Sequence, residues 1–338
     1  MNELKKINPN NVPQITLNNG SVVPAVGIGT FGSDNYSNET IAEAVKNAVR
    51  TGYRHIDCAA VYGNEKEIGA AIAELISEGT VTREELWITS KVWNDMHHDV
   101  QGACEKTLAD LGLDYVDLYL VHWPFPNFHA KGVSVDSRDP NAKPFFIDDF
   151  MKTWGVMESL VAQGKVKNIG TSNMTKAKME LMLERCTIKP VVNEMEIHPH
   201  FQQPELFDYM VANEIQPIGF CPIGSPNRPE RDKAEGDTVP IEDPVIVAIA
   251  QAHNIHPAVV CLKWAVQRGE IIIPFSVKTE KFTANLQCAI EDPLTKEEMD
   301  AIYALDKGCR FIKGQVFCWE GANWEDLWDE DGIIKGWA

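Results

Sequence analysis

The strongest constraint on this chain is an alternation that repeats from residue 25 to residue 276: short runs rich in β-branched and aliphatic residues, separated by longer stretches with helical spacing of apolar positions. Eight runs qualify as strands: AVGIGT (25–30), HIDC (55–58), LWITSKV (86–92), VDLYLVHW (116–123), KNIGTS (167–172), VVNEME (191–196), QPIGFCP (216–222) and EIIIPFS (270–276). Between them, 39–50 sets Ile41, Ala42, Val45, Ala48 and Val49 on one face, and 100–111 does the same with Ala103, Leu108 and Leu111. Strands joined through helices pair in parallel with right-handed crossovers, which places the helices outside a closed (β/α)8 TIM barrel. The chain has 338 residues and is 44% hydrophobic, enough for one large barrel or for two ordinary domains. No linker interrupts the alternation, so a single domain over 1–338 is expected.

Three segments stand outside the repeat. Residues 14–24 (QITLNNGSVVP) hold two β-prone runs around Asn18-Asn19-Gly20, which predicts an N-terminal β-hairpin. The polar, Pro-containing stretches 124–147 and 225–244 are long for connections in a compact domain and read as loops over the C-terminal face of the barrel. The tail, 309–338, has no regular period and reads as a third covering loop. Its Trp319, Trp324, Trp328 and Trp337 are expected to pack, and its acidic run 325–332 to form a solvated edge.

Composition narrows the partners. A net charge of −18 opposes attraction to phosphate backbones and anionic headgroups, so neither nucleic acid nor a membrane is an expected partner. Cys58, Cys104, Cys186, Cys221, Cys261, Cys288, Cys309 and Cys318 are scattered without a C-x-x-C pair, which fits reduced thiols. Residues 1–11 lack the apolar core of a signal peptide, and no apolar run approaches the roughly 20 residues of a membrane span. A cytoplasmic protein is expected, as a monomer or small homo-oligomer.

The chemistry gathers at the strand ends. Asp57 ends the second strand, Tyr62 follows in its loop, Lys91 ends the third and His122 the fourth, so all four face one rim. Reduction of a carbonyl needs a proton donor beside the oxygen, and a tyrosine of pKa about 10 is a reluctant one at neutral pH. A neighbouring lysine ammonium lowers that pKa, an aspartate orients the lysine, and a histidine positions the carbonyl oxygen.

The segments GYRHIDCAAVYGNE (52–65), ITSKVW (88–93) and LYLVHWP (118–124) resemble, in order and spacing, those that carry the catalytic tetrad of the aldo-keto reductases of the aldose reductase type. The resemblance continues through VGIGTF (26–31), KVKNIGTSN (165–173), VVNEMEIHPH (191–200) and PIGSP (222–226). It implies reversible reduction of aldehydes or ketones to alcohols, on a barrel that binds its nicotinamide cofactor extended. Carried over residue by residue, it assigns Asp57, Tyr62, Lys91 and His122 to catalysis. Cofactor contacts would come from Thr30, Phe31, Asp57, Ser172, Asn173, Glu194, Phe220, Ile223, Ser225, Ser276, Lys278, Lys281 and Asn285. Phe31, Trp93, His122 and Trp123 would line the substrate pocket.

Three departures from the family pattern bear on specificity. Glu194 replaces a common glutamine, and a carboxylate there could accept a hydrogen bond from the carboxamide but not donate one. Phe275 replaces the usual lysine for a 2′-phosphate, while Lys278 and Lys281 stay nearby, which favours NADP(H) with NAD(H) or dual use as the alternatives. Glu230 stands about where many members have tryptophan, which suggests a polar mouth and a sugar-like substrate.

Rival readings exist. Gly27-x-Gly29-x-x-Gly32 matches a dinucleotide fingerprint, but no helix opens at the third glycine, so these glycines are expected to serve close backbone approach. His55, Asp57, Lys91, His122, His198 and His200 could suit a metal-dependent barrel hydrolase, which would leave Tyr62 and the nicotinamide segments idle; no metal is expected. A catalytically silent, cofactor-binding regulatory subunit would have no use for the intact tetrad.

Overall fold

The computed structural model describes residues 5–32, 34–126, 139, 141–226, 228 and 233–336; Glu230 and Trp337 lie outside them. The chain opens with an antiparallel hairpin, β1 (Gln14–Thr16) and β2 (Val22–Pro24). Its turn is closed by the Leu17 N–H on Ser21 O (2.8 Å), with Gly20 at φ +86°.

Eight parallel strands follow: β3 (Ile28–Gly29), β4 (His55–Asp57), β5 (Trp87–Val92), β6 (Val116–Val121), β7 (Val166–Ser172), β8 (Val192–Glu196), β9 (Gln216–Phe220) and β10 (Ile271–Ile272). Each pairs with the next in chain order. A parallel bridge between Val26 and Ile272 closes the ring, with Gly27 N–H donating to Ile272 O (2.8 Å) and Ile272 N–H to Ala25 O (3.0 Å). The eighth strand is shorter than the run 270–276 predicted. Pro274 has no N–H to extend the ladder, although its carbonyl accepts from Gly29 N–H (3.2 Å). A Cβ on Gly27 would lie 2.7 Å from the His55 ring, and one on Gly29 2.8 Å from Ile273 O, so these glycines serve close approach at the barrel seam.

The helices are α1 (Asn38–Thr51), α2 (Glu65–Ser77), α3 (Val100–Leu111), α4 (Ile147–Ala162), α5 (Lys176–Leu183), α6 (Pro204–Ala212), α7 (Pro244–Ala252), α8 (Pro257–Gln267), α9 (Thr279–Gln287) and α10 (Lys296–Tyr303). The one-helix-per-strand pattern holds as far as β8; β9 is followed by two helices and β10 by two. The apolar faces read for α1 and α3 are buried: Ile41, Ala42, Val45, Ala48 and Val49 in one, Ala103, Leu108 and Leu111 in the other. Ser37 caps α1 on Thr40 N–H (3.3 Å) and Asp99 caps α3 on Gly102 N–H (2.9 Å).

Inside the barrel, Leu118, Leu120, Val192, Ile218 and Ile271 pack with Leu17 and Val23 of the hairpin. Asn18 donates to Pro190 O (3.1 Å), while Asn19 (2.6 Å) and Ser21 (2.9 Å) hold Asn168 Oδ1, all near the N-terminal ends of β7 and β8. The hairpin therefore plugs that end, and burial of each large aliphatic chain contributes roughly 1.5–3 kcal/mol. The opposite end is left for chemistry.

Among the described residues, the tail forms short 3-10 turns at Gln315–Phe317 and Glu325–Leu327 and no longer helix or strand. Glu196, at the top of β8, accepts the N–H groups of Phe311 and Ile312 (both 2.7 Å). The expected solvated acidic edge is broken at Asp329, which is buried and pairs with the buried Lys178 of α5 and with Thr175 Oγ1 (2.5 Å). Lys178 also donates to Leu327 O (2.8 Å). His97, beside the exposed His98, is half-buried with its Nε2 shut away from water.

Removing one member of a buried pair strands the other at about 3–5 kcal/mol, whereas replacing both with apolar chains is far less costly. Asp329→Leu is expected to lower the opening free energy of the tail by that amount, read as amide hydrogen exchange at residues 327–328. The double variant Lys178→Met/Asp329→Leu should recover most of it; equal losses in single and double variants would count against the pair as the anchor.

Candidate active site

Strand alternation turns His55 and Asp57 of β4 and Thr89 and Lys91 of β5 toward the barrel interior, with Asp57 level with Thr89 and Lys91 one step nearer the open rim. The Lys91 ammonium is fully buried. It donates to Asp57 Oδ2 (2.6 Å) and to Cys58 O (3.2 Å) and lies 3.3 Å from Glu194 Oε1. Glu194 reaches it from β8, where it pairs in register with Ser172 of β7. Three oxygens thus surround the ammonium, two of them hydrogen-bonded to it.

Burial alone would drive Lys91 toward its neutral form, but Asp57 and Glu194 hold it well above its ordinary value, so it stays charged. Burial raises the Asp57 carboxyl against the pull of Lys91. Burial and the neighbouring Asp57 charge push Glu194 up to about 8 despite Lys91. The cluster therefore combines a lysine that keeps its charge with two carboxyls that burial pushes toward their neutral forms. Asp57 Oδ1 and Glu194 Oε2 are buried without a hydrogen-bond partner.

Tyr62 ends a short 3-10 turn, Ala60–Tyr62, and Gly63 at φ +66° redirects the chain toward α2. Its half-buried ring stands 5.2 Å from Phe31 and edge-on to His122 at 5.9 Å between centroids, with Lys91 Nζ 5.4 Å from the ring centre. Burial raises the phenol above its ordinary value; Lys91 lowers it, and Asp57 and Glu194 oppose Lys91. The expected pull of the lysine is present, but burial outweighs it in this state. Burial, then the Lys91 charge, keeps His122 well below its ordinary value and therefore neutral. Its Nδ1 has no partner, and its carbonyl is held by Asn173 Nδ2 (3.0 Å). Asp57, Tyr62, Lys91 and His122 are brought together.

The other expected residues surround this centre. Thr30 donates to Asp57 O (2.8 Å) and receives Asn64 on its own carbonyl (2.9 Å). Asn64 was not singled out from the sequence, although an Asn directly before α2 is a capping signal. Phe31 is 45% exposed at the mouth. Trp93 is half-buried and edge-on to His122 (5.0 Å), while Trp123 is buried under Phe317 (4.6 Å) and Trp328 (5.5 Å) of the tail. Asn173 sits at φ +56° with its N–H on Glu194 O (2.9 Å), and its buried Oδ1 has no partner.

Phe220 tops β9, and Ile223 and Ser225 (φ +39°) follow in the next loop. That loop is tied to the tail by Arg228, which pairs with Asp237 and lies 4.0 Å over the Phe311 ring. Ser276 Oγ accepts Lys278 N–H (3.1 Å) at the start of α9, where Lys278 and Lys281 are exposed and Asn285 is half-buried. Phe275 is committed to packing: a Cβ on Gly32 would lie 2.5 Å from its ring.

Three histidines of the metal reading have protein partners. His55 contacts Thr89 Oγ1 (3.3 Å), His198 contacts Glu196 (3.0 Å), and His200 contacts Thr238 (2.7 Å) and Asp243 (3.0 Å). Among the described residues, no three His, Cys, Asp or Glu side chains converge as a metal site, and no single helix is long and apolar enough to cross a membrane.

Comparison with known proteins gives a consistent result. The model described as "Aldo/keto reductase family" matches residues 25–307. The chain is 40% identical to the Synechocystis aldo/keto reductase slr0942 over 325 residues, covering 95% of this chain and 98% of that protein. It is 42% identical to Xenopus tropicalis aldo-keto reductase family 1 member A1 over 301 residues, covering 88% and 90%. A crystal structure of Bombyx mori aldo-keto reductase in complex with NADP superposes with TM-score 0.78 at 32% identity, covering 89% of this chain and 95% of that one.

The raised Glu194 carboxyl has a consequence for stability. An acid raised on folding binds its proton more tightly in the folded state, so its contribution is full below the unfolded pKa of about 4.5 and is lost as pH rises through about 8. Thermal unfolding should show the parent losing stability between pH 5 and pH 9, and Glu194→Gln losing less by several degrees, roughly what 1–2 kcal/mol produces in a chain this size. Parallel profiles would contradict the assignment.

Proposed function

The chain belongs to the aldo/keto reductase family, and from that premise we propose that it reduces an aldehyde or ketone to the alcohol, reversibly, with Tyr62 as proton donor. The observation that carries this reading is the placement of the Tyr62 ring against the Lys91 ammonium, 5.4 Å from its centre, with neutral His122 beside both at the unplugged end of the barrel.

The residues present fit a nicotinamide. Asn173 Oδ1 and Glu194 Oε2 are buried acceptors without partners, which an amide N–H would satisfy. A protonated Glu194 can also donate, so it can do what a glutamine does in that place. Ser172, Asn173 and Glu194 would hold the carboxamide, Phe220 would cover the ring face, Ile223 and Ser225 would follow the pyrophosphate, and Ser276, Lys278, Lys281 and Asn285 would take the adenosine end. Thr30 and Phe31 would lie along the cofactor at the mouth. The bound cofactor supplies the hydride that the carbonyl carbon receives.

His122, being neutral, donates a hydrogen bond to the carbonyl oxygen and fixes its position. As charge develops on that oxygen, Tyr62 passes its phenolic proton to it. Lys91 stabilises the phenolate left behind, and Asp57 keeps Lys91 charged and aimed. Trp93 and Phe317 exclude water from one side, with Trp123 behind them, and Phe31 from the other.

Lys278 and Lys281, exposed at the start of α9, favour a cofactor with an additional phosphate, because two ammonium groups and a helix N-terminus attract a dianion. The silkworm relative's NADP supports the same choice. For the substrate, the Glu230 argument favours a small, polar, sugar-like carbonyl compound; markedly better kcat/KM with bulky apolar ketones than with aldoses would exclude it.

Tyr62→Phe is expected to lower kcat for carbonyl reduction by roughly 10²–10⁴ while leaving the cofactor Kd within about threefold. Turnover equal to the parent would refute the assignment. In fluorescence titrations at matched salt, NADPH should bind more tightly than NADH and lose that advantage in Lys278→Ala/Lys281→Ala; tighter NADH binding would reverse the cofactor reading.

A further inference from the structure

Both ends of the stretch that carries the phenol are tied to one residue. The Thr30 hydroxyl donates to Asp57 O (2.8 Å), and the Thr30 carbonyl accepts from Asn64 Nδ2 (2.9 Å). Residues 57–64 are thereby closed into a ring at a point just past β3, and Tyr62 lies within that ring. The backbone bonds of its 3-10 turn, Tyr62 N–H on Ala59 O (3.0 Å) and Gly63 N–H on Ala60 O (3.3 Å), are local. They shape the turn but do not fix it to the barrel.

Resting on the reading of Tyr62 as proton donor, we infer that Asn64 is a positioning residue, whose amide N–H, given to Thr30 O, sets where the phenol stands relative to Lys91. Helix capping does not account for the residue. An Asn directly before a helix serves by accepting an N–H of the first turn, and the Asn64 side chain accepts none. Its Oδ1 is buried without a partner, so the amide is present for its donor. Asn64 and Thr30 are both fully buried, and water cannot take the place of their bond once it is lost.

The next residue braces the opposite side. Glu65, also buried, accepts from Ser90 Oγ of β5 (2.6 Å) and Thr107 Oγ1 of α3 (3.2 Å). Since β3 and β5 flank β4 in the sheet, Asn64 and Glu65 pin the exit of this loop on both sides of the strand that begins it. Asn38 of α1 adds a bond from its Nδ2 to Gly63 O (2.9 Å) at the surface. Lys91 is itself fixed by Asp57, with its Nζ 5.4 Å from the Tyr62 ring centre, and Phe31, the residue after Thr30, stands 5.2 Å from the same ring. Released from Thr30, the turn is free to carry the phenol away from both, and a displacement of about 1 Å can cost on the order of a hundredfold in rate.

The test is a double-mutant cycle between Asn64→Ser and Tyr62→Phe, read as turnover of glyceraldehyde, a small aldose, at saturating NADPH. Serine keeps a strong helix cap but is too short to reach Thr30 O. In the parent background, Asn64→Ser should lower kcat roughly 10- to 100-fold and leave the substrate KM within about threefold. In the Tyr62→Phe background the same change should cost less than about twofold, because the residue acts through the phenol. A general loss of folded enzyme would cost the same in both backgrounds. Parental kcat, a raised KM with kcat unchanged, or equal losses in the two backgrounds overturns the inference. If Tyr62→Phe turns over as fast as the parent, it is the proton-donor reading that fails, and the inference falls with it. Should the serine variant not fold, Asn64→Leu keeps the size without the donor, and the same outcomes are read from it.

Discussion

A single lysine ammonium, taken wholly out of water inside a barrel, is the interaction on which this site depends. Desolvating such a charge costs several kcal/mol, and only close, well-placed oxygens offset it. Asp57 does most of this at 2.6 Å, and Cys58 O and Glu194 complete the shell. That arrangement requires β4, β5 and β8 to be in register, since a slip of one residue on any of them would turn its side chain to the outer face. The closed ring, sealed at Val26 and Ile272, is what holds the three strands in that register.

The same economy governs the two ends of the barrel. The hairpin fills one end with Leu17 and Val23 and ties Asn19 and Ser21 to Asn168, which leaves the other end for the charged cluster. There the tail is fastened by buried charges: Glu196 takes two backbone N–H groups, Asp329 meets Lys178, and Arg310 lies 3.5 Å over Trp328 and 4.4 Å over Phe201. Because Glu196 and Glu194 lie two residues apart on β8, the strand that brings a carboxyl to the lysine also holds the tail. Arg228 over Phe311 extends this fastening to the loop after β9.

The parts legible in the sequence were those written in local periodicity. The eight strands, the faces of α1 and α3, and the convergence of Asp57, Tyr62, Lys91 and His122 follow from alternation and from strand ends sharing a rim. Contacts between distant segments were not legible. Asp329 read as solvent-facing because its neighbours are acidic, and its partner Lys178 lies 151 residues away. Glu194 read as a carboxylate that could only accept, whereas burial beside Asp57, a contact that only the closed barrel creates, pushes it toward its neutral form.

The account stands on Lys91 as the charge that makes the Tyr62 phenol a usable acid. The direct measurement is single-turnover oxidation of bound reduced nicotinamide by substrate, with Lys91→Met against the parent at matched cofactor occupancy. A slowing of hydride transfer by roughly a hundredfold or more, equivalent to about 3 kcal/mol of barrier, is the predicted result. Hydride transfer at the parental rate in the folded, cofactor-loaded variant would contradict it.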